Sequence, residues 1–96
     1  MRIVSHPDAA EELAESARFY ESRLPGLGVE FLDEIDRAID TIASAPERYV
    51  VVRGNIRRFS VRRFPYGIYY RTLPVVVRIL VSKHHSRLPD LGMART

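Results

Sequence analysis

Cysteine is absent from this 96-residue chain, lysine occurs once, at Lys83, and the second half holds a single acid, Asp90. Without thiols there are no disulfides, no thiolate chemistry and no cysteine-ligated zinc, which fits a reducing compartment. No apolar run approaches the roughly 18–20 residues that span a bilayer, and the first residues lack the charged-then-apolar layout of a signal peptide. A soluble, cytoplasmic protein with no membrane association is the expectation. Fourteen of the fifteen bases are arginine. The planar guanidinium fork suits bidentate contact with phosphate or carboxylate better than a lysine point charge does. A GC-rich genome would enrich arginine as well.

What is present is divided by charge at the midpoint. Residues 1–47 carry eleven acids against four arginines, a formal charge of −7, while residues 48–96 carry eleven bases against Asp90, a formal charge of +10. The net +3 hides this asymmetry. Between Ile56 and Arg71 the arginines alternate with apolar and aromatic residues. Such a chain presents one positive face, suited to a phosphate backbone or an acidic protein partner. Hydrophobic residues at 46% and charged ones at 28% argue for a globular chain rather than a disordered one. The length suits one domain, residues 1–96, with one core.

Arg2–Ser5 is short and β-prone. Pro7 suits a first helical turn, and Asp8, Glu11 and Glu12 follow where negative charge complements the helix dipole. Ala10, Leu13, Ala17, Tyr20 and Leu24 then recur at helical spacing until Pro25-Gly26-Leu27-Gly28 breaks the pattern. A second helix has Phe31, Leu32, Ile35, Ala38, Ile39 and Ile42 on one face and acids on the other, and Ala45-Pro46 ends it. Each helix spans about 17 residues, roughly 25 Å, and the short connection implies an antiparallel hairpin. Beyond Pro46 the period becomes two. Tyr49–Val52 reads as a short edge strand or an irregular link, and Ile56–Val61, Tyr66–Thr72 and Val75–Lys83 read as strands. The order β-α-α-β-β-β gives an α+β fold, with a mainly antiparallel sheet packed on the helical hairpin.

Strand alternation assigns the faces. Phe59 and Val61, Ile68 and Tyr70, and Val77, Ile79 and Val81 are expected to face the helices. Arg58, Ser60 and Arg62, then Gly67, Tyr69 and Arg71, then Arg78, Leu80, Ser82 and His84 are expected on the other side. Arg58, Arg62, Arg71 and Arg78 would then form one basic surface near Tyr69 and His84. Tyr69, outward beside arginines, could stack on a base. His6 reads as a local helix cap or a surface residue, His85 as structural, and Glu21 as a possible partner of a sheet arginine. No carboxylate or cysteine completes a metal shell around His84-His85, so neither a metal nor a cofactor is expected.

The order and spacing of several short pieces resemble the RelE/ParE superfamily of type II toxin–antitoxin toxins over nearly the whole chain. They are Ala10-x-x-x-Ala14 with Phe19-Tyr20-Glu21, and Pro25-Gly26-Leu27-Gly28-x-x-Phe31-Leu32. They continue as Pro46-x-x-Tyr49, Arg57-Arg58-Phe59-x-Val61-x-Arg63-Phe64-Pro65-Tyr66-x-Ile68-x-Tyr70-Arg71, and His84-x-x-Arg87-x-Pro89. The resemblance implies a small growth-inhibiting toxin with a sheet packed on a helical hairpin, neutralised by an antitoxin in a hetero-oligomer. The antitoxin would dock an apolar, partly helical segment across hairpin and sheet, with acids opposite the arginines.

Two branches of that superfamily differ in chemistry. The RelE-like branch cleaves mRNA on the ribosome, which needs a base near the 2′-hydroxyl, cations on the phosphate and a proton donor to the leaving oxygen. In that branch an arginine usually follows the tyrosine matching Tyr66, where this chain has Gly67. Another follows the lysine matching Lys83, where His84 stands, and the C-terminal tyrosine has no counterpart. His84, Arg87 and Arg62 remain catalytic candidates under that reading. The ParE-like branch, which poisons DNA gyrase without such a cluster, is resembled more closely, through Arg63-Phe64-Pro65-Tyr66 and the His84–Pro89 turn. Leu91 replaces a frequent tryptophan of that branch, whereas Arg95 matches. The target-binding candidates are Arg57, Arg58, Arg62, Arg63, Tyr69, Arg71, Arg78, His84, Arg87 and Arg95. An inactive family member is the remaining reading.

Overall fold

Strand β1 (Arg2–Ser5) leads directly into helix α1 (Pro7–Arg23). The computed structural model describes residues 2–73 and 76–84, with the backbone alone for residues 2, 76, 78 and 80–84. His6 caps α1 by accepting the Asp8 N–H on Nδ1 at 3.1 Å, and Pro7 opens the first turn, where an N–H has no helical partner to lose. The helix stops where Leu24 turns extended ahead of Pro25. Its inward stripe is Ala9, Leu13, Ala17 and Tyr20, not the stripe from Ala10 to Leu24 that the spacing suggested. Ala10 is exposed, and Leu24, already outside the helix, is 56% exposed.

Helix α2 (Leu27–Ser44) starts from Gly26, whose φ of 91° is a left-handed conformation that favours glycine. Gly26 has no side chain to cap with. Glu21 of α1 does the capping instead, its carboxylate accepting the N–H groups of Gly26 and Gly28 at 3.0 Å each. Glu21 therefore serves the hairpin and not a sheet arginine. Gly28 is buried at the helix crossing, where an added Cβ would lie 2.7 Å from the Ala17 carbonyl oxygen. Phe31, Ile35, Ala38 and Ile42 are buried, Ile39 is partly so, and Leu32 is 40% exposed. One acid departs from the solvated face: Glu34 is only 8% exposed and pairs with Arg37.

The remaining strands are β2 (Val51–Arg53), β3 (Ile56–Ser60), β4 (Tyr66–Thr72) and β5 (Val76–His84). Tyr49–Val52, open between strand and link, thus resolves as a short edge strand that begins two residues later and ends one later. The sheet order is β1-β5-β4-β3-β2, antiparallel except that β1 runs parallel to β5. The α+β expectation, a mainly antiparallel sheet on a helical hairpin, matches this architecture. Val61, Phe64, Tyr66, Ile68, Tyr70, Val77 and Ile79 pack with Ala9, Phe31, Ile35, Ala38 and Ile42 in one core. At its centre the Phe31 ring lies 4.8 Å from Tyr66, 5.2 Å from Phe64 and 4.9 Å from Tyr20, edge-on to the first two. Burying each such side chain contributes about 1.5–3 kcal/mol.

Strict alternation fails at one place. Tyr70 pairs with Ile79 but Tyr69 pairs with Val81, so one extra residue of β5 interrupts the ladder. Beyond that irregularity Val81 stands opposite Tyr69, Lys83 opposite Gly67 and His84 opposite Tyr66. A period of two carried from Val77 through Ile79 had grouped Val81 with the core row and His84 with Arg78. The pairing does not preserve those groupings.

Candidate functional face of the sheet

Adjacent arginines on β3 go to opposite sides. Arg57 stands opposite Tyr70, a core residue, whereas Arg58 stands opposite Tyr69. The Arg57 guanidinium donates from Nη1 to the carbonyl oxygens of Glu47 at 3.0 Å and Tyr49 at 2.7 Å. Beside it the Tyr70 hydroxyl donates to the Pro46 carbonyl at 2.5 Å. Arg57 and Tyr70 together pin the segment between α2 and β2. Burial of the Tyr70 phenol pushes its pKa up to about 12, with Arg57 pulling against that rise.

Arg63 is also turned toward the helices. It has a left-handed φ of 71° in the β3–β4 connection, and its guanidinium lies 3.0 Å from Glu30 and 3.8 Å from Glu34. The hydrogen bond to Glu30 raises its pKa above the ordinary arginine value. Arg62, its neighbour, is exposed and has no ion pair among the described residues. Arg57 and Arg63, both target-binding candidates, thus lie toward the helix side, apart from the face that alternation assigns to Arg58, Arg62, Arg71 and Arg78. For Arg57 alternation carries the signal, because 57 shares the parity of Phe59; Arg63 lies beyond the strand, where parity does not reach.

On the side of the sheet away from the helices, the register builds a grid. One row runs Ile56, Arg71 and Arg78, the next Arg58, Tyr69 and Val81, and the third Ser60, Gly67 and Lys83. Arg58 and Arg71 are therefore diagonal neighbours across two strands, with side chains about 7–8 Å apart at their bases. Ile56 and Tyr69 are 3% and 5% exposed, yet they stand apart from the main core cluster. Tyr69 consequently has no free ring face on which a base could stack, contrary to expectation. The Nε atoms of Arg58 and Arg71 are buried and have no hydrogen-bond partner, and no carboxylate pairs with either group among the described residues. A buried donor left unmade costs about 1–3 kcal/mol. Two such donors on one face make a surface already desolvated for an anion.

Arg78 and His84 enter this description by backbone register alone. Arg87 and Arg95, like His85, lie outside the described residues. No group of three histidine, cysteine or carboxylate side chains that could hold a metal occurs among the described residues. None of their helices is long and apolar enough to cross a membrane.

The frame is a five-stranded mixed sheet with a two-helix hairpin on one face and, on the other, arginines that form no ion pair among the described residues. The family model described as "ParE toxin of type II toxin-antitoxin system, parDE" matches residues 3–89, and the chain belongs to that family. Among solved structures, a chain of the chromosomal ParDE TA system from P. aeruginosa superposes with a TM-score of 0.78 at 15% identity. The match covers 88% of this chain and 95% of that one. No curated protein sequence matches the chain significantly. The fold and the family agree with the expected RelE/ParE superfamily and its ParE-like branch.

Proposed function

We propose that this toxin arrests growth by poisoning DNA gyrase and that a cognate antitoxin holds it inactive by covering the same arginine face. The observation that carries the reading is the pair of partly desolvated guanidinium groups of Arg58 and Arg71, whose Nε atoms are buried without a hydrogen-bond partner among the described residues. Their charge is fixed, and Tyr69 between them is buried. Such a face binds anions or carboxylates without a proton to exchange, which supports a binding poison over a ribonuclease that needs an acid and a base. The position after Tyr66, where the RNA-cleaving branch places an arginine, is a buried glycine, Gly67, on this same face. An antitoxin bringing carboxylates to Arg58 and Arg71 would complete the buried donors, and charge complementarity would speed its association.

Purified toxin added to gyrase, DNA and ATP tests the reading. Loss of supercoiling with accumulation of cleaved DNA is expected, both reversed by the co-expressed antitoxin. Normal supercoiling, together with transcripts cut inside codons in cells making the toxin, would replace the gyrase assignment with the ribosomal one.

A further inference from the structure

The β2 edge of the sheet opens on an exposed apolar run. Val50, just before the strand, and Val51 and Val52 within it are 53%, 47% and 36% exposed, and Leu73 is 39% exposed close by. Natural edge strands are ordinarily blunted by lysine, proline or a covering loop, because unpaired backbone invites another strand. Val50, Val51 and Val52 carry no charge, and Arg53 at the end of β2 is the strand's one charged residue. The Arg58 N–H donates to the Val50 carbonyl at 3.0 Å, and Val51 is the register partner of Arg57. Antiparallel geometry then makes Val51–Arg57 the non-hydrogen-bonded pair, so the N–H and C=O of Val51 point out from the free edge.

Beside this edge lies an open depression of about 470 Å³, walled by Val51, Leu73, Arg57 and Thr72 among others. The Thr72 hydroxyl is buried there without a hydrogen-bond partner. Arg57 bonds two backbone carbonyls and forms no ion pair with a carboxylate among the described residues. Arg48, just before the strand, is exposed. Glu47 is the one acid lining the depression.

We infer that β2 is a docking edge for an extended segment of the antitoxin, one that alternates aliphatic with acidic residues and adds a strand beside Val51. This rests on the partner reading above and specifies where and by what chemistry that partner engages. The backbone of the incoming segment pairs with the outward N–H and C=O of Val51. One aliphatic side chain fills the depression against Val51 and Leu73, and carboxylates face Arg48 and Arg57. Strand addition of this kind takes affinity from main-chain bonds and specificity from alternate side-chain pockets.

Hydrogen exchange on the full-length toxin, free and in complex with the antitoxin encoded beside it, reads the edge directly. Exchange at the Val51 amide should slow by at least about 100-fold in the complex. Val51→Pro removes only an outward N–H, so it should keep the parent melting curve and weaken the complex by about tenfold or more. Unchanged exchange at Val51 in a complex that protects other amides would overturn the inference while leaving the partner reading intact. Failure of toxin and antitoxin to associate at all would overturn both. Protection of Val51 in toxin alone, rising with its concentration, would overturn the inference in favour of a second copy of the chain. If Val51→Pro does not fold, the exchange comparison on the unaltered chain decides.

Discussion

Replacing Arg57 with alanine removes the two bonds that hold the carbonyls of Glu47 and Tyr49, and its effect separates a structural arginine from a target-contacting one. A hydrogen bond from a charged donor is worth about 1.5–3 kcal/mol, and the Glu47 bond is exposed, so one such increment is the reasonable total. For a domain of this size each kcal/mol moves the melting temperature by about 4–8 °C, so Arg57→Ala should melt about 6–24 °C below the parent. Tyr70→Phe should lower it as well, by losing the bond to Pro46. Because both side chains hold the same segment, the double variant should fall short of the sum, with a coupling of about 0.5 kcal/mol or more. Arg58→Ala, one residue away, removes no bond and takes away a buried donor without a partner, so it should melt at or above the parent temperature. Circular dichroism melts of the parent and the four variants suffice. An Arg57→Ala protein that melts like the parent yet has lost toxicity would refute the clamp and return Arg57 to the target surface.

Tyr70 also makes stability fall at alkaline pH. Its folded pKa is raised from 10 to about 12, so the neutral phenol is favoured in the fold. The associated stability is complete below pH 10 and is lost as pH rises toward 12, a loss that Tyr70→Phe should remove from the pH–stability curve. Glu21→Ala strips the cap from Gly26 and Gly28 and should cost about 1–2 kcal/mol by denaturant titration. Gly28→Ala forces a Cβ against the Ala17 carbonyl and should cost about 1–3 kcal/mol, whereas Gly26→Ala meets no atom within 4 Å and costs about 1 kcal/mol through φ alone. Equal effects at the two glycines would contradict the close helix approach.

Most of the fold was legible because its signals are local. Pro7, Pro25-Gly26 and Ala45-Pro46 bound the helices, and Phe31, Ile35, Ala38 and Ile42 carry the helical period that the core uses. The strands from Ile56 and Tyr66 follow from alternation alone. What escaped depends on tertiary pairing. Glu21 reaches a loop five residues on, which composition does not reveal. An extra residue in β5 shifted Val81 and His84 from their expected partners, and period counting cannot see a bulge. The candidate site was half legible. Parity puts Arg58, Tyr69 and Arg71 on one face and Arg57 with Phe59 on the other, whereas the placement of Arg63 depends on the left-handed turn after β3. The burial of Tyr69 and the exposure of Val50–Val52 needed coordinates.

The most direct measurement is growth arrest by the double variant Arg58→Ala/Arg71→Ala, compared with Arg57→Ala restored to parent stability by lower temperature. Cells making the double variant should grow normally although the protein melts at or above the parent temperature, since two unsatisfied donors have been removed. Full growth arrest by a well-folded double variant would contradict the assignment of this sheet face as the toxin's acting surface.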